Sequence, residues 1–90
     1  MEFKDTIAMM TSDDYKERFK AEYYQTKIRY ERLKAFNNKI EAAIATNYSK
    51  NAYEMPKHDC PEELLRDQQK MMGNYLHILE VRAVIEGIDL

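Results

Sequence analysis

Between Ser12 and Ala45 the chain carries neither glycine nor proline. The stretch is rich in Glu, Lys, Arg, Ala and other residues that cost little in a helix. Ser12 or Thr11 is placed to cap it, and Thr11 to Asp14 has the spacing of a capping box, with Asp in place of Glu or Gln. Asp13 and Asp14 add negative charge at the positive end of the helix dipole. These signals predict one helix over 13–45, about 45–50 Å long at ~1.5 Å per residue. A rod of that length cannot be the wall of a small monomeric globule, so it needs neighbours.

Two stripes run along it. Phe19, Tyr23, Thr26, Tyr30, Leu33, Asn37, Ile40 and Ile44 alternate by four and three, the pattern of a heptad seam. Ala21, Tyr24, Ile28 and Ala35 lie round the opposite side. One stripe suits a simple hairpin, whereas a second asks for a second neighbour and points to an oligomer.

The segment 46–59 breaks the pattern with Asn47, Ser49, Asn51, Pro56 and Asp59 and reads as a long connection, from which Tyr48, Tyr53 and Met55 can fold back onto the helices. A second helix is predicted over 60–86. Pro61 suits its first position, Asp59 or Cys60 its cap, and Gly87 its stop. Its expected inward row is Leu64, Leu65, Gln68, Met71, Met72, Tyr75, Ile78, Leu79, Arg82 and Ile85, flanked by Leu76, Ala83 and Val84. Gly73 inside this helix suggests a close approach of the two rods. Residues 3–10, with Phe3, Ile7 and Met10 at helical spacing, read as a short arm that packs on the long helix as a lid. The fold expected is all-α: a single domain over 1–90, a long antiparallel helical hairpin with an N-terminal helical arm, assembling into a compact oligomer.

Composition removes several function classes. A formal net charge of −2 argues against a polymeric nucleic-acid partner, though it leaves room for a local basic pocket. The single Cys60 forms no internal disulfide, which suits a reducing cytoplasm. No apolar run approaches the ~20 residues of a membrane span, and the Met1-Glu2-Phe3-Lys4-Asp5 start is not a secretion signal. There is no Gly-rich phosphate loop, no Ser/His/Asp set in recognisable context and no Cys-x-x-Cys. His58-Asp59-Cys60 is explained by a loop and a cap, and His77 by an exposed or interface position. No catalytic residue, metal or cofactor is expected.

The informative residues are polar ones set into apolar stripes. Gln68, Tyr75 and Arg82 are spaced by seven and share one face of the second helix. A buried guanidinium needs an anionic or carbonyl partner. Arg82 can find one in Glu22, Glu31 or Glu80, or it can help to line a pocket for an anionic ligand. On the first helix Arg18, Lys20, Lys27, Arg29, Arg32 and Lys34 are interleaved with Tyr15, Phe19, Tyr23, Tyr24 and Tyr30. Aromatic faces for bases beside cations for phosphates suit a nucleotide. A solvated charged face over a tyrosine-rich core produces the same mixture.

The run Glu17-Arg18, Glu22-Tyr23, Lys27, Leu33, Phe36, Leu64-Leu65, Gln68, Met72, Tyr75, Leu79-Glu80 and Arg82 resembles the helical hairpin of phage sponges. These are the anti-CBASS cyclic-nucleotide sponge, the C-terminal part of the Thoeris anti-defence sponge, and related small hairpin proteins of gut-bacterium phages. The resemblance implies a homo-oligomer, typically a hexamer. Such an assembly binds cyclic oligonucleotides or cyclic ADP-ribose isomers in the host cytoplasm without cleaving them, so that the messenger never reaches its effector. Residue by residue, it implies Lys27 as the phosphate-contacting lysine and Arg18 and Arg82 as further basic positions. Tyr15, with Phe3, is the candidate for the stacking aromatic. Tyr23, Gln68 and Tyr75 complete the expected ligand-binding set. The competing reading is a coiled-coil adaptor or inhibitor that binds a host protein through its second apolar stripe.

Overall fold

The computed structural model describes residues 1–46 and 55–90. A 3-10 turn at Phe3–Thr6 leads into α1 (Ile7–Met10), followed by α2 (Tyr15–Ala45) and α3 (Glu62–Glu86). Among the described residues there is no strand, and the all-α hairpin expected from the sequence is found. Of the three side chains expected to fold back from the connection, Tyr48 and Tyr53 lie outside the described residues and Met55 is exposed.

Asp14, two residues beyond the expected Ser12, caps α2: its carboxylate accepts the Lys16 N–H at 3.0 Å. Ser12 instead accepts the Asp14 N–H, and the Thr11 hydroxyl turns back to the Ile7 carbonyl, closing α1. Pro61 stands just before α3 rather than inside it, and its carbonyl accepts the Leu64 and Leu65 N–H groups. At the far end Gly87 takes a left-handed conformation (φ 69°) that suits glycine. The Gly87 and Ile88 N–H groups both reach the Ala83 carbonyl, which turns Ile88 back into the core.

Early residues of α2 meet late residues of α3, so the helices are antiparallel: Tyr15 bonds Glu86, Tyr23 bonds Glu80 and Asn37 bonds Gln69. The core cluster is Phe19, Tyr23, Leu76, Leu79, Ala83 and Ile88. Asn37 is buried in the seam and donates to the Leu65 carbonyl at 3.2 Å and to Gln69 at 2.9 Å. A buried polar layer of this kind pins the register of two helices, because a slip would leave it unpaired.

The inward face of α3 differs from the expected row. Leu76, Leu79 and Ala83 are buried, while Leu64, Gln68, Met71, Tyr75, Ile78, Arg82 and Ile85 are exposed. Two heptad rows lie side by side on this helix, and a 3.5-residue period does not say which one meets α2. Side-chain size does. A Cβ on Gly73 would come within 3.2 Å of the Tyr30 ring, so the row with small residues receives the bulky rings of α2. Turning the other row inward would also desolvate Gln68 and Arg82.

The second stripe of α2 gains an intramolecular neighbour. Thr6 is fully buried and accepts from Gln25 at 2.9 Å, and Tyr24 and Ile28 share a cleft with Met1 and Glu2, so the N-terminal segment docks against α2. Phe3 lies under two guanidinium groups, with Arg29 at 5.5 Å and Arg32 at 5.2 Å from its ring centroid. Ile7 and Met10 are both about half exposed, and Met10 meets the long helix through its Sδ, which accepts from Gln25 at 3.4 Å. The radius of gyration, 16.9 Å, exceeds the roughly 12 Å of a compact chain of this length. Most of the apolar surface still uncovered on the two long helices sits on α3, with Tyr15 and Ile44 the exposed large apolar side chains of α2.

Candidate functional site

The hairpin divides the expected ligand-binding residues into separate groups. At its open end the Arg82 guanidinium donates to Glu86 through Nε (3.0 Å) and to the Tyr15 hydroxyl through Nη2 (2.7 Å), and Tyr15 donates to Glu86 (2.9 Å). Arg82 also lies over the Phe19 ring at 5.1 Å. The Tyr15 bond to Glu86 raises the Tyr15 pKa and lowers that of Glu86, and the same carboxylate raises the Arg82 pKa. The partners foreseen for Arg82 were Glu22, Glu31 and Glu80; the one found is Glu86, four residues along its own helix. Arg18, one turn beyond Tyr15, donates to the Ser12 carbonyl at 2.9 Å.

Midway along, two tyrosines bridge the helices on opposite flanks of the core. Tyr75 donates to Glu22 at 3.0 Å, and burial followed by that carboxylate raises its pKa. Tyr23, buried in the core, donates to Glu80 at 2.6 Å. Burial first and Glu80 second push its pKa up to about 12. The folded chain therefore holds Tyr23 neutral. The stability this confers is fully present below the ordinary tyrosine value of about 10 and is lost as pH rises towards about 12. Denaturant titrations across that window should show the natural chain losing stability faster than Tyr23→Phe. Parallel curves would mean that the buried hydroxyl does not titrate this way.

Beside Tyr23 the wall of α2 opens into two clefts. The first, about 180 Å³, is lined by Tyr23, Lys27, Tyr30 and Glu31 of α2 and by Gly73, Leu76, His77 and Glu80 of α3. The second, about 480 Å³, lies between α2 and the N-terminus and is lined by Met1, Glu2, Tyr24, Lys27, Ile28, Glu31 and Arg32. Only the larger falls within the ~300–1,000 Å³ usual for a small-molecule site. Lys27 and Glu31 belong to both. The Lys27 ammonium is exposed, 5.8 Å from the Tyr23 ring centroid, and among the described residues it forms no ion pair. Lys20 and Arg82 do, with Glu17 and Glu86.

One chain thus brings together Tyr23 with Lys27, and Tyr15 with Arg82, but not all seven residues. Tyr15 and Lys27 are separated by about 18 Å along α2, and Gln68 and Arg82 by about 21 Å along α3, at ~1.5 Å per residue. Gln68 is exposed on the outer row, while its neighbour Gln69 takes the seam position. Sequence reasoning did not single out the carboxylates Glu31 and Glu80, or Gly73, as cleft residues. The glycine inside α3 was the available signal, because it makes the room that Tyr30 and the smaller cleft occupy.

Among the described residues no group of three His, Cys, Asp or Glu side chains is arranged to hold a metal ion. His58, the most inviting of them, has Nδ1 2.6 Å from the Cys60 carbonyl oxygen and its ring edge-on to Phe36.

Comparison with known proteins gives one positive finding. The Sequestin family model matches residues 13–85. That span contains α2, α3 up to Ile85, and Tyr15, Arg18, Tyr23, Lys27, Gln68, Tyr75 and Arg82, and it leaves Phe3 and the N-terminal arm outside. No curated protein and no solved structure matches the chain.

Proposed function

The chain belongs to the Sequestin family, and from that premise we propose that it is a phage anti-defence sponge. It sequesters a cyclic nucleotide immune messenger, a cyclic oligonucleotide or a cyclic ADP-ribose isomer, and releases it uncleaved. The family name itself denotes sequestration. The observation that carries the reading is Lys27, an ammonium without an ion-pair partner among the described residues, on the ridge between two clefts, with tyrosine rings on either side.

Each part of a nucleotide has a counterpart there. Lys27, and Arg32 in the larger cleft, attract a phosphate through charge-assisted hydrogen bonds. Tyr23, Tyr24 and Tyr30 supply apolar ring surface for a base. Glu31 and Glu80 would repel a bare phosphate, yet a carboxylate accepts well from ribose hydroxyls and exocyclic amines. The combination favours a whole nucleotide over inorganic phosphate. No general base paired with a nucleophile stands among these groups, and holding the messenger intact requires none.

The sponge acts as a homo-oligomer, a hexamer by the resemblance, in the host cytoplasm. Junctions between copies bring together basic and aromatic groups that one hairpin keeps apart. Among the described residues, no helix is long and apolar enough to cross a membrane.

The test is a thermal-shift panel of cyclic dinucleotides, cyclic trinucleotides and cyclic ADP-ribose isomers. A ligand at a hundred times its Kd stabilises the folded chain by about 2.7 kcal/mol, an upward shift of several degrees for a domain of this size. The bound compound should be recovered unchanged after denaturation. No shift across the panel, or recovery of a cleaved product, would overturn the reading. The exposed row on α3 favours a second reading, an adaptor or inhibitor that binds a host protein. A stoichiometric host protein captured by a chain indifferent to the whole panel would support it.

A further inference from the structure

The outer face of α3 carries more apolar surface than the hairpin uses. Leu64, Met71, Tyr75, Ile78 and Ile85 are between 40% and 77% exposed, and Gln68 and Arg82 lie in the same row. The steps between successive members are four, three, four, three, four and three, an unbroken heptad seam on a helix that already has one seam filled by α2. Tyr75 and Arg82 touch α2 from its flank, through Glu22 and through Tyr15 and Phe19, while the apolar members Leu64, Met71, Ile78 and Ile85 are left exposed.

The order of residues along this row indicates what does. Tyr75 stands at its midpoint, with Gln68 seven residues before and Arg82 seven residues after. Met71 and Ile78 come next to the centre, and Leu64 and Ile85 close the ends. Read from either end, the row runs apolar, polar, apolar, Tyr75. A face that is its own reverse fits a second copy of itself, antiparallel about a two-fold axis.

We propose that the outer row of α3 is a self-association seam: two copies pack these faces antiparallel about a two-fold axis near Tyr75. Gln68 of each copy then comes within a turn of Arg82 of the other. Charge selects this direction. Parallel pairing would set one Arg82 guanidinium beside the other in the middle of an apolar layer, a like-charge contact that costs free energy. Antiparallel pairing gives each guanidinium an amide carbonyl instead. Glu86 and Tyr15 engage Arg82 through Nε and Nη2, leaving Nη1 to donate across the seam to Gln68. A polar residue at a single heptad position is a known means of fixing register and direction.

The proposal rests on the reading that the chain assembles, and it says which face does so and in which direction. It also brings the partner's α3 beside the Tyr15, Arg82 and Glu86 cluster, so that each open end lies against a junction.

Disulfide trapping tests it in a Cys60→Ser background, which removes the native thiol. Gln68→Cys chains mixed with Arg82→Cys chains should give a cross-linked heterodimer on mild oxidation, with one native Gln68 and Arg82 pair retained. Either variant alone should cross-link poorly, since like positions are then about 21 Å apart along the axis at ~1.5 Å per residue. Gln68→Cys cross-linking to itself as readily as in the mixture would overturn the antiparallel direction. A second measurement, light scattering, keeps the assembly itself open to refutation. The natural chain should be oligomeric, and Ile78→Glu should reduce its mass by a factor of two or more while helicity is retained. A monomeric natural chain would overturn both the assembly and the seam. An oligomer that Ile78→Glu leaves at full mass would overturn the seam alone.

Discussion

Lys27→Ala is expected to weaken messenger binding by about 10- to 100-fold, the ~1.5–3 kcal/mol of a hydrogen bond to a charged group. Lys27 is exposed and forms no ion pair among the described residues, so its removal leaves no buried carboxylate behind. Its one close internal contact is the Tyr23 ring at 5.8 Å, and an exposed contact of that type contributes no more than about 1 kcal/mol. Assembly and melting temperature without ligand should therefore stay near those of the natural chain. Calorimetric titration with the compound that gives the largest thermal shift measures the loss directly. Because phosphate attraction is electrostatic, the gap between the two proteins should narrow as salt is raised. Unchanged affinity in Lys27→Ala would remove Lys27 from the site even if the sponge reading stands.

Leu79→Ala is expected to cost about 2–5 kcal/mol of folding stability, the range for deleting a fully buried leucine side chain. Leu79 is 2% exposed, at the centre of the cluster with Phe19, Tyr23, Leu76, Ala83 and Ile88. Small domains hold only about 5–15 kcal/mol in all, so the variant should melt far below the natural chain and unfold in part at physiological temperature. Val84→Ala is the control. Val84 is 83% exposed on the same helix and lies outside the outer heptad row, and surface changes of this kind stay within about ±0.5 kcal/mol. Denaturant midpoints for the pair report the rotation of α3 about its own axis. Equal losses at the two positions would contradict the register in which Leu76, Leu79 and Ala83 face α2.

That register marks the boundary of what the chain alone disclosed. Two long helices, the break between them and the stop at Gly87 follow from local chemistry: a glycine- and proline-free run in α2, acidic first turns in both helices and a residue able to take a left-handed conformation. The basic and aromatic mixture on α2 was equally legible, and Tyr23 and Lys27 do line one cleft. Grouping the remaining candidates was not legible: the spacing puts Gln68, Tyr75 and Arg82 on the inward face of α3, whereas all three are exposed, and Tyr75 and Arg82 reach α2 only from its flank. A heptad period is blind to that choice when two rows run in parallel. Only the fit of Tyr30 against Gly73, and of the Phe19 and Tyr23 rings against small partners, decides which row is buried.

Sequence by itself therefore determined the elements and their amphipathic character, since helix propensity and capping act over a few residues. Tertiary structure decided which faces meet. It gave the second stripe of α2 to the N-terminal arm through Thr6 and Phe3, and it left Leu64, Met71, Ile78 and Ile85 of α3 exposed. Those outcomes depend on side-chain volume and on the cost of desolvating Arg82 and Gln68, quantities set by whatever lies opposite in space.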